Sequence, residues 1–155
     1  MTVAVNGIAH IQLTVNDAER CVPFWESLCH FLEMKTLIRS PEMVYCIGSR
    51  TGVLVREAPP DKRDRPFDQE RPGLHHLCFR ARQREDVDAI FAFVEKELGA
   101  HIVHGPEDGG FAPGYYSILF EDPDGLRFEV NHVPGRGHLG DGARLGPGGE
   151  GPAHD

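Results

Sequence analysis

The 155-residue chain has no apolar run near the roughly 18 residues that a membrane-crossing helix needs, so no membrane span is expected. It has no Lys/Arg-rich run, and its formal net charge is −8, so no nucleic-acid partner is expected. The start, MTVAVNGIAH, lacks a basic segment followed by a long apolar one, which predicts no secretory signal. The four cysteines, Cys21, Cys29, Cys46 and Cys78, are scattered and form no CxxC pair. Buried reduced thiols in a cytoplasmic protein are expected rather than disulfides or a zinc knuckle. With 40% hydrophobic and 26% charged residues, the composition is that of a soluble globular protein. The length suits one domain, or two small repeats sharing a core.

What the chain does contain is a repeat. GIAHIQLTV (7–15) and GLHHLCFRA (73–81) align without gaps, pairing Gly7 with Gly73 and His10 with His76 at an offset of 66. A helical pattern follows each. In DAERCVPFWESLCHFLEM, Pro23 fits an early helix position, and Phe24, Leu28 and Phe31 recur at helical spacing. In REDVDAIFAFVEKELGA, Val87, Ile90, Phe91, Val94 and Leu98 make a stripe, and Gly99 sits where a C-cap belongs. Three strand-like stretches follow each helix, near 35–39, 42–48 and 52–57, then near 101–105, 115–121 and 125–132. Gly52 and Gly125 are 73 apart, so the second half has gained seven residues, in the Gly/Pro-rich stretch GPEDGGFAPGYY. That loop, 106–115, could act as a lid.

The expected fold class is α+β: duplicated βαβββ modules forming curved mixed β-sheets with helices on the outer face. One domain, 1–134, holds modules at about 6–57 and 73–133, joined by a charged, Pro-rich linker, 58–72. Residues 135–155 contain eight glycines and read as a flexible tail.

Strand parity places His10, Gln12 and Thr14 on one face of the first strand, and Ile11, Leu13 and Val15 on the helix side. In the second module, His76, Cys78 and Arg80 take the equivalent face. In the last strand, Leu126, Phe128 and Val130 alternate with Arg127 and Glu129, leaving a carboxylate in mid-strand. Two repeat-related histidines and one carboxylate suit a divalent first-row metal with open positions. Tyr115 and Ser117 share a face with Leu119, so a phenol and a hydroxyl would line the same cavity.

GIAHIQLTV, GLHHLCFRA and EDPDGLRFEV resemble the vicinal oxygen chelate superfamily, the group of glyoxalases, bleomycin-resistance proteins and extradiol dioxygenases, over about residues 6–133. The resemblance implies metal ligation by His10, His76 and Glu129, with Zn, Ni, Mn or Fe(II) as the ion. It implies a small oxygen-chelating substrate, glutathione or another thiol as a possible cosubstrate, and a homodimer. The expected activity is that of a glyoxalase-like lyase or isomerase. The alternatives are an Fe(II)-dependent extradiol-type dioxygenase and a non-catalytic sequestering protein. Glyoxalases carry a fourth ligand at the end of module one. Here Arg56 stands opposite Glu129, and Glu57 is one residue out of phase unless a bulge realigns it. Glu57 and Glu129 are thus the candidate bases, and Arg56, Gln12, Tyr115 and Ser117 the candidate substrate contacts. The Tyr that dioxygenases and fosfomycin transferases place about ten residues before the Glu is Leu119 here.

Overall fold

A computed structural model of the chain describes residues 2–5, 7–63 and 65–135. The expected tail, beyond Gly135, lies outside the described residues. The chain divides into two compact units, Met1–Phe67 and Asp68–Asp155.

The first unit holds β1 (His10–Val15), α1 (Ala18–Phe31), β2 (Lys35–Ser40), β3 (Met43–Gly48) and β4 (Thr51–Glu57), followed by a short 3₁₀ turn at Pro60–Lys62. Its sheet order is β1-β4-β3-β2. β1 and β4 run parallel, and the other pairs are antiparallel. Asp17 starts α1 by accepting a hydrogen bond from the Arg20 N–H at 3.2 Å. Leu32 caps its end, and Glu33 follows in the left-handed region at φ 60°. Cys21, Val22, Trp25, Leu28 and Cys29 bury one face of α1 against β2, β3 and β4. Burying a Val- or Leu-sized side chain is worth roughly 1.5–3 kcal/mol. Phe31, expected in the stripe, sits at its exposed edge. Pro23 lies inside the helix rather than in its first turn. The N-cap is Asp17, where the quoted helical segment begins, and the ring replaces one N–H of the helical ladder.

The second unit repeats this order with β5 (Leu77–Arg80), α2 (Arg84–Lys96), β6 (His101–Asp108), β7 (Tyr116–Glu121) and β8 (Arg127–His132). The sheet order is β5-β8-β7-β6, again with one parallel pair. At the start of α2, the Gln83 N–H donates to the Asp86 carboxylate at 2.9 Å. Val87, Ile90 and Val94 are buried, and Gly99 follows at φ 61°. Two mixed four-stranded sheets, each with a helix on one face, make this an α+β fold.

The extra length of the second half lies in β6, whose register against β7 shifts twice, and in the turn at 109–115. Both first strands are shorter than their sequence signatures: β1 begins at His10 and β5 at Leu77.

Candidate functional site

In the second unit, β8 carries Phe128 and Val130 into the core against α2. Alternation turns Glu129 and Asn131 to the opposite face. Across the sheet, Glu129 stands beside Cys78 of β5 and Leu119 of β7, and Asn131 beside Arg80 and Ser117. The turn before β8 fixes this phase. Asp122 is 5% exposed, and its Oδ1 accepts from the N–H groups of Asp124 and Leu126, both at 2.9 Å. Gly125 takes φ 84°, as the reversal requires.

Glu129 is only 7% exposed, and both its oxygens have partners. The Tyr115 hydroxyl donates to Oε1. Nε2 of His76 lies 3.1 Å from Oε2. The other ring nitrogen of His76 meets Nδ1 of His75 at 2.8 Å, so one of the two donates and the other accepts. Tyr115 precedes β7 and is held by its own loop. Its N–H donates to the Ala112 carbonyl at 3.1 Å, its carbonyl accepts from Gly109 N–H at 2.9 Å, and Phe111 packs on its ring at 5.1 Å. Burial, and then the bond to Glu129, hold the Tyr115 phenol well above the ordinary tyrosine range. It is therefore a neutral donor at physiological pH. Cys21, Cys29 and Cys46 are buried as expected, but Cys78 is exposed, because its side chain is on the open face of β5. Desolvation, and then the Glu129 carboxylate, still push its thiol up. Cys78 is thus a thiol at neutral pH and a poor nucleophile.

His76 and Glu129 suit one divalent ion. Two neighbouring ligands, each about 2.0–2.2 Å from the same metal, stand about 3–3.5 Å apart, and Nε2 and Oε2 are already 3.1 Å apart. Within neither unit do three His, Cys, Asp or Glu side chains of the described residues form a complete metal cluster. A third donor in this scheme, His10, belongs to the first unit.

In that unit His10 opens β1, exposed, with Gly52 of β4 as its strand partner. Gln12 and Thr14 follow on the same exposed face, beside Leu54 and Arg56. Arg56 is exposed there. The ring of Tyr45 covers Gly52, so that a Cβ at Gly52 would lie 2.5 Å from its hydroxyl. β4 pairs without interruption through Glu57, so no bulge realigns that residue. Glu57 stays on the α1 side. Its carboxylate accepts from Ala18 N–H at 3.3 Å and pairs with Arg63 at 2.7 Å. It lines an open cleft of about 540 Å³ with Ala18, Glu19, Pro23, Arg39, Pro41 and Glu42, away from the His10 face. The register thus separates Glu57 from the other candidates of its module. The irregularity in this sheet falls in β2 instead, between Thr36 and Ile38.

Sequence reasoning missed Asn131 and Tyr45. The alternation that singles out Glu129 also selects Asn131, two residues on. Nothing local announces that Tyr45 covers Gly52, or that Tyr115 reaches a carboxylate 14 positions away.

The fold recurs in solved structures. A glyoxalase-like protein of Bacillus halodurans superposes with a TM-score of 0.73 at 24% identity, covering 83% of this chain and 96% of that one. Lactoylglutathione lyase of Agrobacterium tumefaciens gives 0.56 at 20% identity, covering 83% and 94%. The fosfomycin resistance protein FosX of Mesorhizobium loti gives 0.59 at 18%, covering 84% and 94%. At these identities the likeness is one of fold. The sequence itself carries the relationship: residues 7–130 match the family model of the Glyoxalase/Bleomycin resistance protein/Dioxygenase superfamily, and the chain belongs to that superfamily.

Proposed function

We propose that the protein is a divalent-metal-dependent lyase or isomerase of glyoxalase type, acting on a small substrate with two neighbouring oxygens. One observation carries the reading. A nearly buried carboxylate in mid-strand is fixed by Tyr115 at one oxygen, and its other oxygen lies 3.1 Å from a histidine nitrogen. His76, Glu129 and His10 would hold the ion, with Zn, Ni, Mn or Fe(II) as candidates. When bound, the ion supplies Lewis acidity to the substrate oxygens.

The chain's own groups do the rest. Tyr115 keeps Glu129 oriented and directs Oε2 toward the ligand position. Glu57 is engaged elsewhere, so the base we assign is Glu129, which would have to be displaced from the ion to take the proton. Glu57, engaged by Arg63 and Ala18, is left to anchor α1. Arg56 and Gln12 share the His10 face and would take an anionic or polar part of the substrate. Ser117 shares the Glu129 face. Glutathione or another thiol would be a cosubstrate if the reaction follows the lactoylglutathione lyase. A cytoplasmic homodimer is the form in which we expect the protein to act. No helix among the described residues is long and apolar enough to cross a membrane.

A second reading, an Fe(II)-dependent extradiol-type dioxygenase, is favoured by Tyr115. Position 119 is Leu, yet a phenol reaches Glu129 from position 115. The third, a sequestering protein, is disfavoured because the candidate ligands are all retained.

The test is metal content after purification without chelators, for wild type, Glu129→Ala and His76→Ala. Near-stoichiometric metal in wild type and its loss from both variants would support the site. Zn, Ni or Mn would favour the lyase or isomerase, and oxygen-sensitive iron the dioxygenase. No metal in wild type, and none taken up from each candidate ion, would sink the catalytic reading in favour of sequestration.

A further inference from the structure

Asn131 is two residues beyond Glu129 on the same face of β8, between Arg80 of β5 and Ser117 of β7. Burial and Glu129 raise the Tyr115 phenol, and Asn131 acts in the opposite direction on it, as an amide does through its NH₂ end. Oδ1 then points elsewhere. Oδ1 is buried and has no hydrogen-bond partner among the described residues. A buried acceptor without a partner is a standing cost to the fold, and such atoms are uncommon unless water, an ion or a ligand completes them. This one lies along the strand from the carboxylate assigned to the metal, about 7 Å away at the backbone.

We propose that Asn131 is a substrate-binding residue whose Oδ1 accepts a hydrogen bond from an O–H or N–H group of the substrate. The proposal rests on the metal-chelate reading of Glu129 and His76, and it narrows that reading. The substrate carries a hydrogen-bond donor beside its two chelating oxygens. A site built to receive such a donor discriminates strongly against an analogue that lacks it, because the acceptor is then left buried and unpaired.

Acetohydroxamate and N-methylacetohydroxamate make the comparison. Both offer two neighbouring oxygens to a metal, and only the first has an N–H. Their affinities for the zinc-loaded protein would be measured by calorimetry, in wild type and in Asn131→Leu. Wild type should favour the N–H compound about tenfold. Asn131→Leu should bring the two within about twofold while its zinc affinity and its affinity for the N-methyl compound stay near wild type. Those two affinities also report that the variant is folded. If Asn131→Leu does not fold, Asn131→Thr, which suits a strand but is too short to reach, serves the same comparison. An unchanged tenfold preference in the variant, or no preference in wild type, would overturn the role of Asn131. If zinc-loaded wild type binds neither compound, the chelate reading itself fails, and the proposal with it.

Discussion

Glu129 serves two partners with one carboxylate, and the division decides what each neighbour can do. Tyr115 occupies Oε1, so Oε2 is the oxygen left for a ligand. Tyr115→Phe keeps the ring in its packing with Phe111 and removes only the hydroxyl. We expect it to fold and to bind metal about 10-fold more weakly, the usual scale for losing a group that orients a metal ligand. Competition with a chromogenic chelator measures this, and an unchanged affinity would contradict the orienting role. The same bond has a pH signature. Tyr115 is raised above its ordinary value in the folded chain, so the bond's contribution is complete below the unfolded tyrosine pKa of about 10 and is lost as pH rises through the folded value. Urea unfolding should find Tyr115→Phe less stable than wild type at pH 7, with the gap narrowing above about pH 10. In the sequence Tyr115 was visible as a residue of the right face. Its partner was not, because the contact depends on how the 109–115 turn folds back.

At the level of elements, the DPDG turn sets the phase of β8. Asp122→Ala removes the acceptor of one buried and one half-buried N–H group, and we expect a loss of about 1–3 kcal/mol. Equilibrium urea denaturation measures it. A loss within error of zero would mean that the strand register, and not the turn, positions Glu129. Gly105 in β6 is under a different constraint. Its φ is 91°, and a Cβ there would meet the Ser117 carbonyl oxygen and lie 2.9 Å from the Ile118 Cα. The obstacle is backbone, which cannot rotate away. Gly105→Ala should therefore cost about 2 kcal/mol or more, seen as a lowered Tm. The helices, the eight strands and the alternation of β1 and β8 could all be read from periodicity. The unbroken pairing of β4, which turns Glu57 toward α1, could not. A bulge is an event of pairing between strands and leaves no local mark in the sequence.

Across the whole molecule, charge sets an acid limit. The bond from Arg20 holds Asp17 low. Burial opposes ionisation of Glu121, but His101 and Arg127 outweigh it, and Glu26 is lowered against the same opposition by Arg39 and Thr36. These carboxylates are more acidic folded than unfolded. Their contribution is present above the ordinary carboxylate range and is lost as pH falls through the folded values. The urea midpoint should drop between about pH 5 and pH 3, and a flat profile there would mean that these pairs add little.

The sequence by itself determined the duplication, the fold class, the faces of β1 and β8, and the residue types of the candidate site. Those follow from short-range facts: an offset between two strands, a period of two, and a turn whose residues permit one reversal. Only the tertiary structure decided that Tyr115 bonds Glu129, that Tyr45 shields Gly52, that Glu57 belongs to α1, and that Asn131 keeps an acceptor without a partner. Each of those depends on which side chains from distant positions reach one another. Strand register and loop packing fix that, and neither is a property of any single stretch of chain.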